Sequence, residues 1–578
     1  MRAPLRSRRV ASRLAASTLW DLVAVLLILG ALVLLAEASR AVMQPLPEPG
    51  MGAIRLDPSA LPHYAMRTSL RMLAAMALSL VFAFTYATWA AKSRRAGQVL
   101  IPLLDILQSV PILGFISVTV VFFMSLAPGK VLGAELAAVF AIFTSQAWNM
   151  TFSFYQSLRT VPKELAEASR SFRLSPWMRF WKLEAPFAMP ALVWNMMMSM
   201  SGGWFFVVAS EAISVGDTTV ALPGIGSYIA LAIEQRDLGA IGWAIAAMLV
   251  VILVYDQLLF RPLVAWADRF RFGQEAGAEP PPRSWVLTML RRSRLVSRTV
   301  APLATAWRWT YRVAAEPAKT SPSAHKARAR QVWLDRLWAA AIAAACFAAV
   351  WKIATFVLAG VTPGEAGSAL LLGFATMARV FVLIALASLV WVPVGIWLGL
   401  RPGAARFAQP IAQFLAAFPA NLLFPLAVSA IVALKLDPDI WLSPLMILGT
   451  QWYILFNVIA GASAIPSELR DIGTNLHVRG WLWWRRIALP AVFPFYMTGA
   501  ITASGGSWNA SIVAEMASWG DTTLKAHGLG AYIAEATAAG DFHRIVLGIA
   551  VMSAFVVIIN RTFWRPLYAL AERKFRLD

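Results

Sequence analysis

Cysteine is almost absent from the sequence, and histidine is scarce. The single cysteine among 578 residues, Cys346, excludes an intramolecular disulfide and any metal site built from several cysteines. The histidines are spread along the chain without metal-ligand spacing: His63, His325, His477, His527 and His543. A membrane-embedded enzyme would need a catalytic cluster, and the sequence shows none.

Charged residues are also few, at 14% against 59% hydrophobic residues, and the mean hydropathy is +0.64. A soluble domain has roughly 25% charged and 45–50% apolar residues, so this composition predicts an integral membrane protein. The apolar runs reach the length of about 20 residues that a spanning helix needs, and they are too long for barrel strands. Twelve spans are expected, at residues 19–36, 66–91, 100–127, 133–158, 187–213, 240–260, 333–359, 368–400, 407–433, 439–462, 488–515 and 543–563.

Acids are outnumbered by basic residues, which gives a formal net charge of +21. The basic residues gather at the two termini, at KSRRAG (92–97), at RPGAAR (401–406) and at 271–332. They separate the spans as the positive-inside rule expects, which favours a membrane topology over nucleic-acid binding. Both termini and the segment 271–332 are therefore expected on the cytoplasmic side of the membrane, with an amphipathic surface helix around SWVLTMLRRSRLVSR.

The first span, 19–36, follows a basic segment that could belong to a secretory signal. It is too long for the apolar region of a signal peptide and lacks a convincing cleavage site, so we expect a retained helix. The third and ninth spans are interrupted by Pro111 and Pro419.

The sequence repeats itself. A shift of 304 positions superposes the two GDTT motifs at 216–219 and 520–523, and further toward the N-terminus the shift grows to 308, which pairs Arg71 with Arg379. Two fused copies with six spans each insert in the same orientation. We therefore expect an all-α polytopic membrane protein made of two tandem six-helix units, related by a pseudo-twofold axis along the membrane normal. The units are predicted at 1–270 and 333–578, joined by a basic cytoplasmic linker at 271–332.

Each copy carries a polar, Trp-rich segment between its fourth and fifth spans. The first reads KELAEASRSFRLSPWMRFWKLEAP at 163–186, and the second reads SELRDIGTNLHVRGWLWWRRIALP at 467–490. The segments resemble the loop of ABC importer permeases that runs Glu-Ala-Ala, three residues, Gly, nine residues, Ile-x-Leu-Pro. Both copies keep the spacing of that loop, but Arg173 and His477 stand where the family has Gly.

The resemblance implies that these segments dock into grooves of two separate ABC ATPase domains. The coupling residues expected from it are Glu164, Glu167, Ala168, Ser169, Arg173, Leu174, Ser175, Pro176, Glu468, Asp471, Ile472, Gly473, His477, Val478, Arg479 and Gly480. The chain has no phosphate-binding G-x-x-x-x-G-K-[S/T] motif, since PGKV at 128–131 lacks both the upstream Gly and the hydroxyl. ATP and Mg are thus expected in the partner subunits, with no cofactor or metal in this chain.

GIGSYI at 224–229 and GLGAYI at 528–533 resemble the outer loops of the nitrate, sulfonate and taurine branch of these permeases. That likeness implies an extracytoplasmic substrate-binding protein as a further partner. It also implies a small anion as the solute, such as nitrate, sulfonate, taurine or bicarbonate. Tyr228 and Tyr532 in these loops are expected either to contact the delivery protein or to cap a short helix.

Small residues and one acid mark the fifth span of each copy. The candidate residues of a translocation path are Arg71, Gly202, Gly203, Trp204, Glu211, Arg379, Gly505, Gly506, Trp508, Asn509 and Glu515. The glycines fit either close helix packing or a solute path. An acid inside a membrane needs a partner, so we predict Arg71–Glu211 and Arg379–Glu515 contacts. Each pair is either a static ion pair or an arginine that meets an anion. Arg379→Gln should abolish assembly in the first case and weaken transport alone in the second.

A secondary transporter with two parallel six-helix repeats also fits the span count and the duplication. It should show charged coupling-ion sites at mid-depth in place of two docking segments. Recovery of an ATPase with the purified protein would distinguish the two classes.

Overall fold

The computed structural model describes residues 54–215, 218–270, 284–313 and 324–575. The first predicted span, 19–36, and parts of the predicted linker lie outside these ranges. Within them the chain is almost entirely helical, as the sequence predicts.

The first half contains ten helices and one β-hairpin, followed by two linker helices. The helices are α1 (Leu61–Lys92), α2 (Arg94–Ser109), α3 (Ile112–Leu126), α4 (Val131–Arg159), α5 (Lys163–Ser171), α6 (Pro176–Arg179), α7 (Ala185–Glu211), α8 (Ile225–Glu234), α9 (Leu238–Tyr255), α10 (Arg261–Ala267), α11 (Trp285–Arg292) and α12 (Arg294–Val313). Strands β1 (Ala212–Val215) and β2 (Thr218–Ala221) pair antiparallel between α7 and α8.

The second half repeats this order. Its helices are α13 (Ala324–Gly360), α14 (Pro363–Gly399), α15 (Pro402–Ala417), α16 (Phe424–Ala433), α17 (Pro438–Trp441), α18 (Gln451–Ser463), α19 (Ser467–Asn475), α20 (Gly480–Trp483), α21 (Leu489–Ala514), α22 (Leu529–Ala538), α23 (Phe542–Ile559) and α24 (Arg565–Phe575). Strands β3 (Met516–Trp519) and β4 (Thr522–Lys525) form the second hairpin.

Eight helical stretches of the described ranges are long and apolar enough to cross a membrane, and three bent helix pairs pass the same test. These eleven stretches occupy the places of the eleven predicted spans that fall within the described residues. The equivalent spans begin with equivalent caps, since Asp237 and Asp541 each accept a hydrogen bond from a backbone N–H in the first turn of α9 and α23.

The third span of each half is broken where a proline was expected to interrupt it. Helices α2 and α3 meet at 93° beside Pro111, and the helices on either side of Pro419 meet at 80°. The break lets one piece of each span cross to the other half. Helix α3 packs against α21, α22 and α23, while α15 packs against α7 and α9.

The tenth span, predicted as one helix over 439–462, is also bent. Its pieces, Pro438–Met446 and Gln451–Ser463, meet at 45°, whereas α4 in the first half is continuous over 29 residues. Pro444 lies in the first piece, and a proline inside a helix removes a hydrogen bond and clashes with the preceding turn. Helix α4 contains no proline, so only the second half is bent there.

The second GDTT motif, 520–523, lies at a hairpin turn, and Thr218 and Thr219 of the first motif lie in β2 of the other hairpin; the sequence analysis predicted neither hairpin. Ala212 pairs with Ala221 and Val215 with Thr218 in the first hairpin, and Met516 pairs with Lys525 in the second. Each hairpin follows the fifth span of its half and lies at the end of the bundle opposite α5 and α19. The two ends of the bundle are called the hairpin face and the coupling face.

Candidate functional site

The two coupling segments, 163–184 and 467–488, have the same backbone geometry. A helix of nine residues ends in a tight turn, and a second short helix leads through a π-helical turn into the fifth span. Arg173 and His477 lie in the left-handed region, with φ of 49° and 54°. The turn closes by backbone hydrogen bonds from Leu174 to Ser169 (3.1 Å) and from Val478 to Gly473 (2.8 Å). Arg173 and His477 are the two positions where the resembled loop has Gly, so the turn persists without glycine.

Most of the predicted coupling residues are exposed. These are Glu164, Glu167, Ala168, Arg173, Pro176, Glu468, Asp471, Ile472, His477, Arg479 and Gly480. Leu174, Ser175 and Val478 are half-buried, whereas Ser169 and Gly473 are buried beneath the segments. Gly473 packs against Ile487, at 2.8 Å from where its Cβ would lie, so this position supports the segment from inside.

The sequence analysis missed two highly exposed apolar side chains at the ends of α5 and α19. Phe172 is 78% exposed and Leu476, at the equivalent position, is 70% exposed. Each one follows the last residue of its helix and precedes the left-handed residue. A large apolar side chain at the same place in both copies of a polar segment was the signal that could have revealed them.

Among the described residues, helix α12 of the linker packs on the first segment. Trp177 Nε1 donates a hydrogen bond to Thr310 Oγ1 (3.0 Å), and the Trp307 ring packs edge-on against Trp181, with 4.8 Å between ring centroids. The Lys182 ammonium lies over the Tyr311 ring. Trp481, the counterpart of Trp177, is 72% exposed. The amphipathic linker helix predicted from the sequence therefore exists as α11 and α12, and α12 contacts the protein itself.

The predicted Arg71–Glu211 contact is present, with 2.6 Å between Nη1 and Oε1. Thr68 and the Gly226 backbone N–H also donate to the Glu211 carboxylate, each at 2.7 Å. The sequence analysis missed Glu135, which accepts from Arg71 Nε at 2.6 Å and from Arg67 at 2.8 Å. All of these charged side chains are buried, so the arginines are neutralised where they lie.

The predicted Arg379–Glu515 contact is present as well, at 3.1 Å. Asp439, at the position equivalent to Glu135, accepts from Arg379 Nη2 at 2.8 Å and approaches the exposed His527 ring at the same distance. Ala375 replaces Arg67 here, so the second network has one arginine in place of two. Arg379 retains 15% of its side-chain exposure against 3% for Arg71.

These networks explain the first glycines of GIGSYI and GLGAYI. A Cβ at Gly224 would lie 2.3 Å from the Glu211 carboxylate, and one at Gly528 would lie 2.1 Å from that of Glu515. Only a residue without a side chain lets the loop approach this closely. The ion network therefore fastens the hairpin loop and the short helix after it to the second span of the same half.

The tyrosines of these loops are held by the protein. Tyr228 is buried within α8, and Tyr532 donates to Glu365 at 3.1 Å. Burial and the Glu365 carboxylate raise the pKa of Tyr532 far above its usual value, so its hydroxyl remains a donor. Packing of a short helix, rather than contact with a delivery protein, is the role that this geometry supports.

A cavity of about 210 Å³ lies between the halves, where the broken third spans meet the fifth spans. Its polar lining includes Gln108, Asn149, Thr450, Tyr453 and Asn509, and its aromatic lining includes Trp148, Phe205, Phe206 and Phe418. Asn509 Oδ1 accepts from the Ile112 N–H at 2.7 Å, and Asn421 donates to the Phe205 carbonyl at 3.2 Å. Both hydrogen bonds cross between halves, so this cavity, called the central cavity below, lies at the contact between the two halves.

A family model described as "Binding-protein-dependent transport system inner membrane component" matches residues 79–261 and again residues 391–576. The chain belongs to this family. It contains two copies of the domain, in agreement with the duplication read from the sequence.

The individual relatives include permeases named for betaines and permeases named for nitrate or bicarbonate. The chain is 27% identical over 194 residues to the glycine betaine/proline betaine transport system permease protein of Escherichia coli (strain K12), which covers 34% of this chain and 51% of that protein. It is 26% identical over 203 residues to the nitrate import permease protein of Synechocystis sp. (strain ATCC 27184), with coverages of 35% and 70%. It is 27% identical over 189 residues to the bicarbonate transport system permease protein of Synechococcus elongatus, with coverages of 32% and 64%. The chain thus spans only about half the length of the E. coli relative.

The predicted path residues of this tandem permease separate into three groups. Gly202, Gly505, Gly506 and Asn509 line the central cavity. Gly203 instead packs against Gln146 and Met72, Trp508 is buried in the core, and Trp204 packs edge-on against Tyr255 at 5.0 Å. Arg71, Glu211, Arg379 and Glu515 lie in the ion networks, outside the cavity lining. The glycines thus serve both packing and open space, and a role for these residues in transport stays a prediction.

Each hairpin extends along the hairpin face to a helix of the other half. Strand β1 contacts α22 of the second half, and β3 contacts α8 of the first. The Gly520 N–H donates to the Ile233 carbonyl at 3.0 Å, and Arg236 pairs with Asp521 at 3.0 Å. The position equivalent to Arg236 is Gly540, so the sequence does not allow the mirror ion pair. The Arg236–Asp521 pair is called the latch below.

Proposed function

We propose that the chain is the transmembrane subunit of an ATP-driven importer, which forms the solute path and is moved by separate ATPase subunits. One observation carries the proposal: two coupling segments of the same unusual geometry present equivalent exposed apolar residues at one face, with a cavity between the halves. A helix that presents an apolar residue can dock in a groove of a partner. Two such segments fit two ATPase domains.

The coupling face is proposed to be cytoplasmic. Basic residues lie there at the ends of spans, as in KSRRAG at 92–97 and RPGAAR at 401–406. Both termini and the linker then lie in the cytoplasm of a bacterium, and the hairpin face meets the extracytoplasmic binding protein. ATP and Mg are proposed to bind in the partner subunits. Closure of the ATPase pair would draw the two coupling segments together and tilt the halves as rigid bodies.

The solute is proposed to be a small anion, such as nitrate, sulfonate, taurine or bicarbonate. Nitrate and bicarbonate permeases are among the similar proteins, and the glycine betaine permeases are named for solutes that also carry a carboxylate. The central cavity offers amide and hydroxyl groups that can donate to anionic oxygen atoms, from Asn149, Thr450 and Tyr453. Its volume suits a compact solute. Both arginines of the ion networks are held by carboxylates, so the static interpretation of those pairs is favoured.

The experiment is recovery of an ATPase with the affinity-purified chain from its native host, comparing wild type with the Phe172→Asp/Leu476→Asp double variant. A buried apolar anchor contributes a few kcal/mol to an interface, so loss of both should reduce ATPase recovery by about a hundredfold. Leu434→Asp is the matched control, because Leu434 is 68% exposed but lies between the third and fourth spans of its half, away from the coupling face. Equal recovery with the double variant would refute the coupling role. Transport driven by an ion gradient without any ATPase would support the secondary transporter instead.

A further inference from the structure

A second cavity, of about 570 Å³, adjoins the central one on the side of the coupling face. Helices α7, α9 and α10 of the first half and α15 of the second half enclose it. We call it the inner chamber. Ser201 and Ala416 belong to the linings of both cavities.

The order of lining residues along two helices shows that the cavities lie in series. Helix α7 runs from the coupling face to the hairpin face, and it lines the inner chamber from Trp194 to Trp204 and the central cavity from Ser201 to Phe206. Helix α18 runs the opposite way. It lines the central cavity at Tyr453 and the inner chamber at Phe456, which lies nearer the coupling face.

A hydrogen bond between the halves closes the boundary between the cavities. Ser201 Oγ donates to the Ala416 carbonyl. Gly505 occupies the position equivalent to Ser201, and no atom lies within 4 Å of where its Cβ would be. The Ser201–Ala416 contact is therefore a neck between the two halves that Ser201 can form and its counterpart Gly505 cannot, and it must break for a solute to pass.

The inner chamber contains an ion pair that the central cavity does not. Arg261 Nε pairs with Asp256 Oδ2 at 2.9 Å, and Gln257 donates to the same oxygen at 3.2 Å. The Arg261 side chain is 51% exposed, and its terminal nitrogens make no hydrogen bond to another described residue. Asn560 stands at the position equivalent to Asp256, so only the first half has the acid.

We propose that the inner chamber is a second solute site on the way to the coupling face, where Arg261 binds the anionic oxygen group of a compact solute in competition with Asp256. The inference rests on the proposed function, because it supposes that a solute passes the central cavity. Arginine suits the task, since it presents several N–H donors in a planar fork that matches oxyanions. An adjacent carboxylate keeps that binding weak enough for release, as a transport path requires.

Thiol labelling tests the proposal on the full chain without partner subunits. In a Cys346→Ser background, Met197→Cys places a thiol in the inner chamber and Asn149→Cys places one in the central cavity. A membrane-impermeant reagent applied from the coupling face should react roughly tenfold faster with the Met197→Cys variant, because the neck hydrogen bond limits access to the other. Adding Ser201→Ala should remove most of the difference, whereas Ser199→Ala, a buried serine on the same helix outside both linings, should not.

Nitrate, the probe anion, should slow labelling of the Met197→Cys variant. Arg261→Gln should abolish this protection, Arg261→Lys should retain part of it, and Asp256→Asn should shift half-protection to roughly threefold lower nitrate, because one competing charged acceptor is lost. Equal labelling of the two sites would refute the neck. Reaction only with a lipid-soluble reagent would show that an acyl chain fills the chamber, and protection unaffected by Arg261→Gln would refute the anion site. None of these results depends on ATPase recovery, so this inference and the proposed function can fail separately.

Discussion

Arg173 and His477 adopt a backbone conformation that costs a residue with a side chain about 1–2 kcal/mol relative to the right-handed region. Glycine avoids this cost. We therefore expect Arg173→Gly and His477→Gly to stabilise their coupling segments, which amide hydrogen exchange over 163–179 and 467–483 would show as increased protection.

Arg170→Gly is the control for that prediction, because Arg170 lies inside α5, where glycine lowers helix stability by about 0.5–1 kcal/mol. It should reduce protection in the same segment. If Arg173→Gly also reduced protection, the arginine side chain would be stabilising the turn by more than its backbone conformation costs.

The two buried acids should differ in how much stability depends on them. Glu211→Gln leaves two buried arginines, Arg67 and Arg71, with Glu135 as their one shared carboxylate, and breaking a buried pair costs about 3–5 kcal/mol. Glu515→Gln should cost less, because Arg379 is partly exposed and keeps Asp439. Thermal denaturation of the purified protein should show a larger fall in the midpoint for Glu211→Gln.

Restoring neutrality tests the cause of that loss. Arg71→Met combined with Glu211→Gln should recover part of the stability, because Glu135 still has Arg67 as its partner. No recovery in the double variant would show that hydrogen bonds to Thr68 and Gly226, rather than the charge balance, determine the loss.

Helix α12 of the linker contacts the first coupling segment through Thr310, Tyr311 and the Trp307 ring. Trp307 contacts both Trp181 and Trp177, and aromatic pairs contribute about 0.5–1.5 kcal/mol beyond their buried area. Trp307→Ala should increase hydrogen exchange in α12 and at Trp177 by up to about tenfold. Trp309→Ala is the matched control, since Trp309 is on the same helix and 64% exposed. Equal effects of the two variants would mean that α12 is not held through Trp307.

The two coupling segments show why an element of this kind is only partly predictable from the sequence. The repeat in the sequence places both coupling segments correctly, between the fourth and fifth spans of their halves. It does not reveal that the linker covers one of them, because Trp177 and Thr310 are brought together only by folding.

Across the whole molecule, the latch is an ion pair between halves that the sequence does not allow to be repeated. Arg236 and Asp521 are largely exposed, and exposed pairs contribute about 0.2–1 kcal/mol, so Arg236→Ala should raise access to the central cavity from the hairpin face no more than about fivefold. Gly520→Ala should have a larger effect. Gly520 has φ of 58°, and a Cβ there would lie 2.0 Å from Arg236 Nε, so the turn itself must move.

Labelling of the Asn149→Cys variant from the hairpin face would measure both effects. Lys525→Ala is the control, because Lys525 lies in the same hairpin as the latch residue Asp521 but pairs with Glu535 of its own half. A response to Lys525→Ala as large as that to Gly520→Ala would indicate general loosening of the hairpin and not release of the latch.

The carboxylate partners in the two ion networks show which contacts the sequence could predict and which it could not. Arg71–Glu211 was predictable because an acid in a span needs a base at similar depth, and the repeat offered one. Glu135 and Asp439 also lie at equivalent positions, but both stand near span ends where an acid is unremarkable. Pro444, by contrast, was a visible signal for the bent tenth span, and a proline in one copy alone was enough to break the symmetry.

The sequence alone determined the membrane location, the duplicated six-span plan and the place of the coupling segments, because hydrophobic length, charge bias and repeat spacing are properties of the linear chain. Tertiary structure alone decided which glycines pack and which line a cavity, which carboxylates hold each arginine, and how the broken spans and hairpins cross between halves. These depend on distances between residues far apart in the chain, and the free energy of burying a charge or filling a space is set by neighbours that only the folded molecule assembles.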